Sequence, residues 1–376
     1  MYYFGFKLPH NNLTRACGML AFFVSSILQM GIDMRHLFAI AASSLVLATS
    51  SMAEEKVGPC KVDPTHLAVD MSVPMQKTQT RDGKPVLDFF RNTLNVSIFI
   101  RYSDYAPFDE KNPEKIHETL HEKVLRSEER DEIFKRAGSS IVTVFQHNND
   151  APLTFAVGNR GTDDALRALA VARELGQPNE SAIYFGVDGV DETIQALAQM
   201  YKKRDGQSVS DDELKKLKGY DNKVAKWYNE FLDYHATAFR NKDGSPKDAS
   251  KITGSDMLPH IERYFRDVTA VFDAAPDGHP KIGAYGSGFA NFDLEKKLPF
   301  VEYFWLSQST GFTGYKDYLN RGRWSLLQQQ PTHLGWASPV DKTQEADFDL
   351  NFVRSCKTLP SGQPDVGQWS IRAEPR

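Results

Sequence analysis

The sequence predicts an α/β chain folded as a (β/α)8 TIM-type barrel, and three observations carry that expectation. Eight short runs of apolar, β-branched or aromatic residues alternate with stretches of helical periodicity. Short apolar runs bounded by turn residues read as buried strands, and strands separated by helices form right-handed crossovers in a parallel sheet. Eight such units are the number that closes a barrel. Three of the runs also carry an aspartate, in His66–Asp70, Ala182–Asp188 and Ala346–Asn351. Carboxylates brought from distant strands to one mouth are how such barrels assemble their chemistry.

Taken in order, the expected strands are Leu67–Asp70, Val96–Tyr102, Ile141–His147, Ala182–Asp188, Lys281–Tyr285, Val301–Leu306, Trp324–Gln329 and Asp347–Phe352. Between them, Asp163–Leu175 reads as a helix with Thr162 as its cap, acids in its first turn and Gly176 as its stop. Glu128–Ala137 is similar, with Ser127 before it and Gly138 after it. Ile261, Tyr264, Phe265, Val268 and Phe272 form one apolar helical stripe. The charged segment Tyr201–Asp256 breaks the repeat and reads as a helical insertion after the fourth strand, serving either as a lid or as an inert hairpin.

The N-terminus predicts export. Met34-Arg35-His36, the apolar run Leu37–Ala48 and the small residues of Ser51-Met52-Ala53 make up a signal segment cut after Ala53. Its apolar run is too short to span a bilayer, so no stable membrane insertion is expected after cleavage. Residues 1–53 are therefore a targeting segment, with translation starting at Met34, and residues 54–376 form the barrel. A competing reading keeps the whole N-terminus as a membrane anchor, because Met19–Leu28 is also apolar.

The exported part holds 42 Lys+Arg against 48 Asp+Glu, a net charge near −6. It shows no basic stripe, which argues against nucleic acid as a partner. It keeps two cysteines, Cys60 and Cys356, near its two ends. In an oxidising compartment such a pair reads as a disulfide, with two unpaired thiols as the competing state. His147, His260 and His279 are scattered along the chain, and neither metal nor cofactor is expected. The Gly-x-Ser-x-Gly elbow and the phosphate loop are also missing.

The strand-end carboxylates suit carbohydrate chemistry, which needs two carboxyls with separated proton affinities. Asp70, Asp188 and Asp349 are the candidate catalytic residues, with Asp191 close behind. Tyr285 and Trp305 are the leading aromatic candidates for a sugar platform. Tyr102, His147 and Asn351, also at or near strand ends, complete the expected substrate-binding set with Arg101. The guanidinium of Arg101 would serve an anionic ligand group or neutralise the aspartates.

The order Arg101-Tyr102, Gly158–Ala165, Glu174–Pro178, Ile183–Asp188, Ile282–Ser287 and Asp349–Phe352 resembles the secreted glycoside-hydrolase-like domain of unknown function related to the family 25 lysozymes, the muramidases. The resemblance runs from about Leu67 to Val353, apart from the insertion. It implies a barrel irregular in its later strands that acts on, or binds, a cell-wall (peptidoglycan-type) or exopolysaccharide glycan. In the muramidases the fourth strand ends Asp-x-Glu, the glutamate being the general acid. Here the run is Asp188-Gly189-Val190, and valine cannot donate a proton. Two readings follow: a glycosidase that takes its acid from Asp188 or Asp191, or a glycan-binding or envelope scaffold domain that has lost hydrolysis.

Overall fold

The computed structural model of the chain describes residues 62–80, 82–104, 124–146, 159–187, 254–308, 314–329, 332–337, 345–354 and 358–370, with Phe155, Asp243 and Thr310. The signal segment, Cys60, Cys356, His147, Asp188, Asp191 and the insertion, except Asp243 and residues 254–256, lie outside the described residues.

Nine strands are described: β1 (Val62–Met71), β2 (Val96–Asp104), β3 (Ser140–Phe145), β4 (Ala182–Val187), β5 (Lys281–Gly286), β6 (Val301–Leu306), β7 (Leu326–Gln328), β8 (Thr332–Ala337) and β9 (Glu345–Arg354). Six helices accompany them: α1 (Val86–Asn92), α2 (Ser127–Phe134), α3 (Arg160–Glu174), α4 (Gly254–Asp273), α5 (Gly288–Lys297) and α6 (Tyr315–Arg321). Strands β1 to β7 run side by side in chain order and in parallel, β9 follows β7, and β9 pairs back onto β1. Eight strands therefore close a barrel, as the sequence predicts.

The eighth staff of this barrel is not parallel. Strand β9 runs antiparallel to both β7 and β1, and β8 hydrogen-bonds antiparallel to β9 beyond the ring. A parallel crossover needs a dozen or more residues, commonly a helix, and only seven residues separate β8 from β9. A hairpin is what that length permits, and it reverses the last strand. Trp336, outside every expected strand, lies in β8.

Period-two alternation sorts the strand residues into two layers. Ile98, Ile100, Val142, Val144, Tyr184, Trp305, Leu326 and Val353 fill the barrel interior. The opposite strand faces pack outward, β3 to β6 against α3, α4, α5 and α6, and β1 to β3 against α1 and α2. The predicted stripe Ile261, Tyr264, Phe265, Val268 and Phe272 is buried along α4. At Gly161 a Cβ would lie 2.3 Å from the carbonyl oxygen of Tyr264, so α3 and α4 touch where only glycine fits.

The helix starts differ from the expectation. Asn159, in the left-handed region, precedes α3 and no side chain caps it, so Thr162 belongs to the helix. Ser127 is the first residue of α2 rather than its cap. Gly138 and Gly176 do take the positive φ expected of stops.

The C-terminal segment forms the floor of the barrel. Trp369 exchanges two backbone hydrogen bonds with Ile141 at the start of β3, and the N–H of Ala182 donates to Gly367 at 2.8 Å. Val366 is buried within the interior cluster, where its carbonyl accepts the Tyr184 hydroxyl at 2.8 Å. Gly367 has φ +76, and a Cβ there would come within 2.4 Å of the Ala182 Cβ. The C-terminal segment thus covers the end of the barrel at which β3 and β4 begin. Among the described residues, no helix is long and apolar enough to cross a membrane.

Candidate functional site

The reversed strand builds the site. Asp70 is the next-to-last residue of β1, and its register partner is Asp349, halfway along β9. The register of the β1–β9 ladder sets Asp349 level with Asp70, near the C-terminal end of β1. Both aspartates are only 3% exposed. One step deeper, Asn351 lies opposite Ala68 on β1 and Gln328 on β7.

Two amides hold the two carboxyls. Asn351 donates from Nδ2 to Asp70 Oδ2 at 2.9 Å, and its Oδ1 accepts the Trp305 indole N–H at 2.7 Å. Gln328 donates from Nε2 to Asp349 Oδ2 at 2.8 Å, while its Oε1 accepts the Tyr285 hydroxyl at 3.2 Å and the Gln308 backbone N–H at 3.1 Å. The Tyr285 and Trp305 rings pack at 4.1 Å between centroids. Above them, Asn291 of α5 donates to the carbonyls of Gly286 and Trp305, tying the ends of β5 and β6 together.

Burial holds the Asp70 carboxyl well above the usual carboxylate range, and the Asp349 charge adds to this. Hydrogen bonds from Asn351 and Gln328 pull the other way, as does Arg101, most weakly. Two adjacent carboxyls in a dry setting cannot both ionise freely. Chemically, the pair can retain a proton under conditions where an ordinary aspartate is charged.

Several expected site residues have other placements. Arg101 faces out of the barrel, away from Ile100 and Tyr102, so it is not positioned to bind substrate inside. Its guanidinium donates to Glu129 of α2 at 2.8 and 3.1 Å and to the Met71 carbonyl. Glu129 also accepts the Met75 N–H at 2.7 Å, so this buried pair splices β1, β2 and α2. Tyr102 and Tyr285 are buried interior residues, and Trp305 and Asn351 have no exposed surface. Trp305 therefore supports the carboxyls from below rather than presenting a platform. β3 ends at Phe145 and β4 at Val187, and His147, Asp188 and Asp191 lie beyond them, outside the described residues.

Gln328 and Glu129 were missed by the sequence reading. Gln328 had a signal: it follows the inward Leu326 at strand period, so a polar group was due inside the barrel. Glu129 had none, since one acid among several at a helix start looks like a dipole complement. Among the described residues no three His, Cys, Asp or Glu side chains are grouped to hold a metal ion. A groove of about 610 Å³ exists at the opposite end, between α2 and the C-terminal segment, lined by Phe134, Leu359 and Trp369 among others. Two of its cations are engaged, Lys135 with Glu132 and Arg136 with Asp88.

Comparison with known families finds one model, of a glycoside-hydrolase-like domain, that matches part of the chain. The family model described as "Rv2525c-like, glycoside hydrolase-like domain" matches residues 107–215. Among solved structures, the chain is similar to the Tat-secreted protein Rv2525c of Mycobacterium tuberculosis. A crystal form with L-tartrate aligns at 14% identity over 81% of this chain and 100% of that one, with a TM-score of 0.40. A form with HEPES aligns at 14% over 81% and 98%, with a TM-score of 0.41. An uncharacterized B. stearothermophilus protein aligns at 12% over 76% and 95%, with a TM-score of 0.35. Among curated proteins, no match was found.

Proposed function

We propose that the protein is exported and acts on a cell-wall or exopolysaccharide glycan, with Asp70 and Asp349 as its working carboxyl pair. The observation that carries this reading is their register pairing, buried near the C-terminal end of β1. Register partners in an antiparallel ladder are about 4.5–5.5 Å apart at Cα, so these two stand on one side of a bound sugar. A proton-bearing Asp70 beside a charged Asp349 suits orientation of an N-acetyl group and stabilisation of positive charge at the anomeric carbon. The leaving oxygen then takes its proton from across the mouth, where Asp188 follows directly on the end of β4 and Asp191 comes three residues later.

Release of reducing ends from purified peptidoglycan tests this. The wild type is expected to cleave, and Asp349→Asn, Asp70→Asn and Asp188→Asn to lose activity by about 10²–10⁴-fold. Cleavage undiminished in Asp70→Asn and Asp349→Asn removes the pair from the reaction. The second reading, glycan binding without hydrolysis, is favoured by Val190 at the acid position and by the 3% exposure of both aspartates. Retention on insoluble glycan with no reducing ends released would establish it.

The export and disulfide readings share one measurement. Each cysteine lies two residues beyond the last pair of the β1–β9 ladder, Val62 with Arg354. Mass spectrometry of the exported protein is expected to find Glu54 as the first residue and Cys60 cross-linked to Cys356. An intact leader, or free thiols at both positions, counts against the respective half.

A further inference from the structure

The two interior amides have only one possible sense. An indole N–H can only donate, so the atom of Asn351 that meets Trp305 at 2.7 Å must be the oxygen. The Asn351 NH2 is thereby turned onto Asp70. A backbone N–H can likewise only donate, so the Gln308 N–H fixes Gln328 with its oxygen outward and its NH2 on Asp349. The Tyr285 hydroxyl adds a second donor to that same oxygen.

We infer that Asn351 and Gln328 are positioning residues, locked by Trp305 and by Tyr285 with the Gln308 N–H, that hold an obligatory donor against one oxygen of each aspartate. Neither amide can accept a proton from its carboxyl, because its own oxygen is already engaged. A proton carried by the pair is therefore kept out of both amide contacts and left to the other positions of the two carboxyls. Trp305 is the lock that a single substitution removes. It is the donor on Asn351 Oδ1, whereas Gln328 Oε1 has two.

The surroundings of Asp70 leave few competing charges. Among the described residues, the charged groups acting on it are Asp349 on β9 and Arg101 on β2, the second from the outer face and engaged with Glu129. The partners contributed by β5, β6 and β7, namely Tyr285, Trp305 and Gln328, are neutral. This inference deepens the proposed use of the same carboxyl pair. Its test reads the carboxyls directly, so failure to cleave glycan leaves it standing.

The experiment is a pH titration of the full chain labelled with ¹³C at the aspartate carboxyls, the Asp70 signal being assigned through Asp70→Asn. In Trp305→Phe the ring volume remains and the N–H is lost, which frees Asn351 to turn and accept from a protonated Asp70. The Asp70 midpoint is expected to rise by about one pH unit, a tenfold gain in proton affinity. Asn351→Leu removes the donor outright and is expected to shift the midpoint the same way; it decides the matter if Trp305→Phe fails to fold. Trp324→Phe, whose indole donates outside the barrel to Leu319, is expected to leave Asp70 unchanged. An unmoved midpoint in Trp305→Phe, or an equal shift in Trp324→Phe, overturns the inference.

Discussion

Replacing Glu129 with leucine is expected to cost about 3–5 kcal/mol of folding stability, because Arg101 would be left charged in a dry site with no counter-ion. Both side chains of the pair have zero exposure, so water cannot substitute for the missing carboxylate. The loss is compounded at Met75, whose N–H gives up its acceptor, and at the junction of β1 with α2. Arg101→Met should be damaging for the mirror reason, a buried carboxylate without its guanidinium. The double variant Arg101→Met/Glu129→Leu removes both charges together and is expected to recover most of the loss, since apolar replacement of a buried ion pair is often near neutral. Urea unfolding of the three variants gives the answer. Additive losses in the double variant would show that the two side chains act separately.

Asp70→Asn is expected to stabilise the protein at neutral and alkaline pH. Asp70 in the folded state binds its proton more tightly than in the unfolded chain, through burial and the neighbouring Asp349. Its contribution to stability is therefore fully present below the ordinary carboxylate range and is lost as pH rises through the raised value. Asparagine fills the same space, accepts the Asn351 N–H with its own oxygen and never ionises. The thermal midpoints of variant and wild type should thus converge in acid and separate as pH increases, with the variant higher. Parallel curves across that range would mean that Asp70 titrates as an ordinary surface acid. Gaining stability by disarming a buried acid is the behaviour of a site residue rather than a structural one.

The barrel was legible because its signal is periodic. Seven runs recognised by apolar and β-branched content correspond to β1 to β7, and the eighth to β9, with boundaries differing by a few residues. The direction of the last strand was less visible, since a hydrophobic run carries no arrow. The missing helix between β8 and β9 was the clue, and it lay in connection length rather than composition. Asp70 and Asp349 stood out in sequence because a carboxylate inside an apolar run demands an explanation. Of their supporting amides, Asn351 was among the expected residues but Gln328 was not, because it sits in a run of three glutamines and only the strand parity tells which one faces in. Arg101 was read toward the site for its position near a strand end, yet one residue of parity put it on the outer face against Glu129.

The hydrogen bond between Asp70 and Asn351 joins groups 281 residues apart in the chain. Its two strands are the first and last staves of the ring, so the seam where the cylinder is welded shut is also where the carboxyls meet. A polypeptide still lacking its final strand can possess most of the hydrophobic interior and none of the acid pair. Contacts of such long separation are slow to form, so the pairing of the two aspartates is expected to come late in folding. Until the two ends of the chain have found each other, Asp70 and Asp349 have no shared pocket.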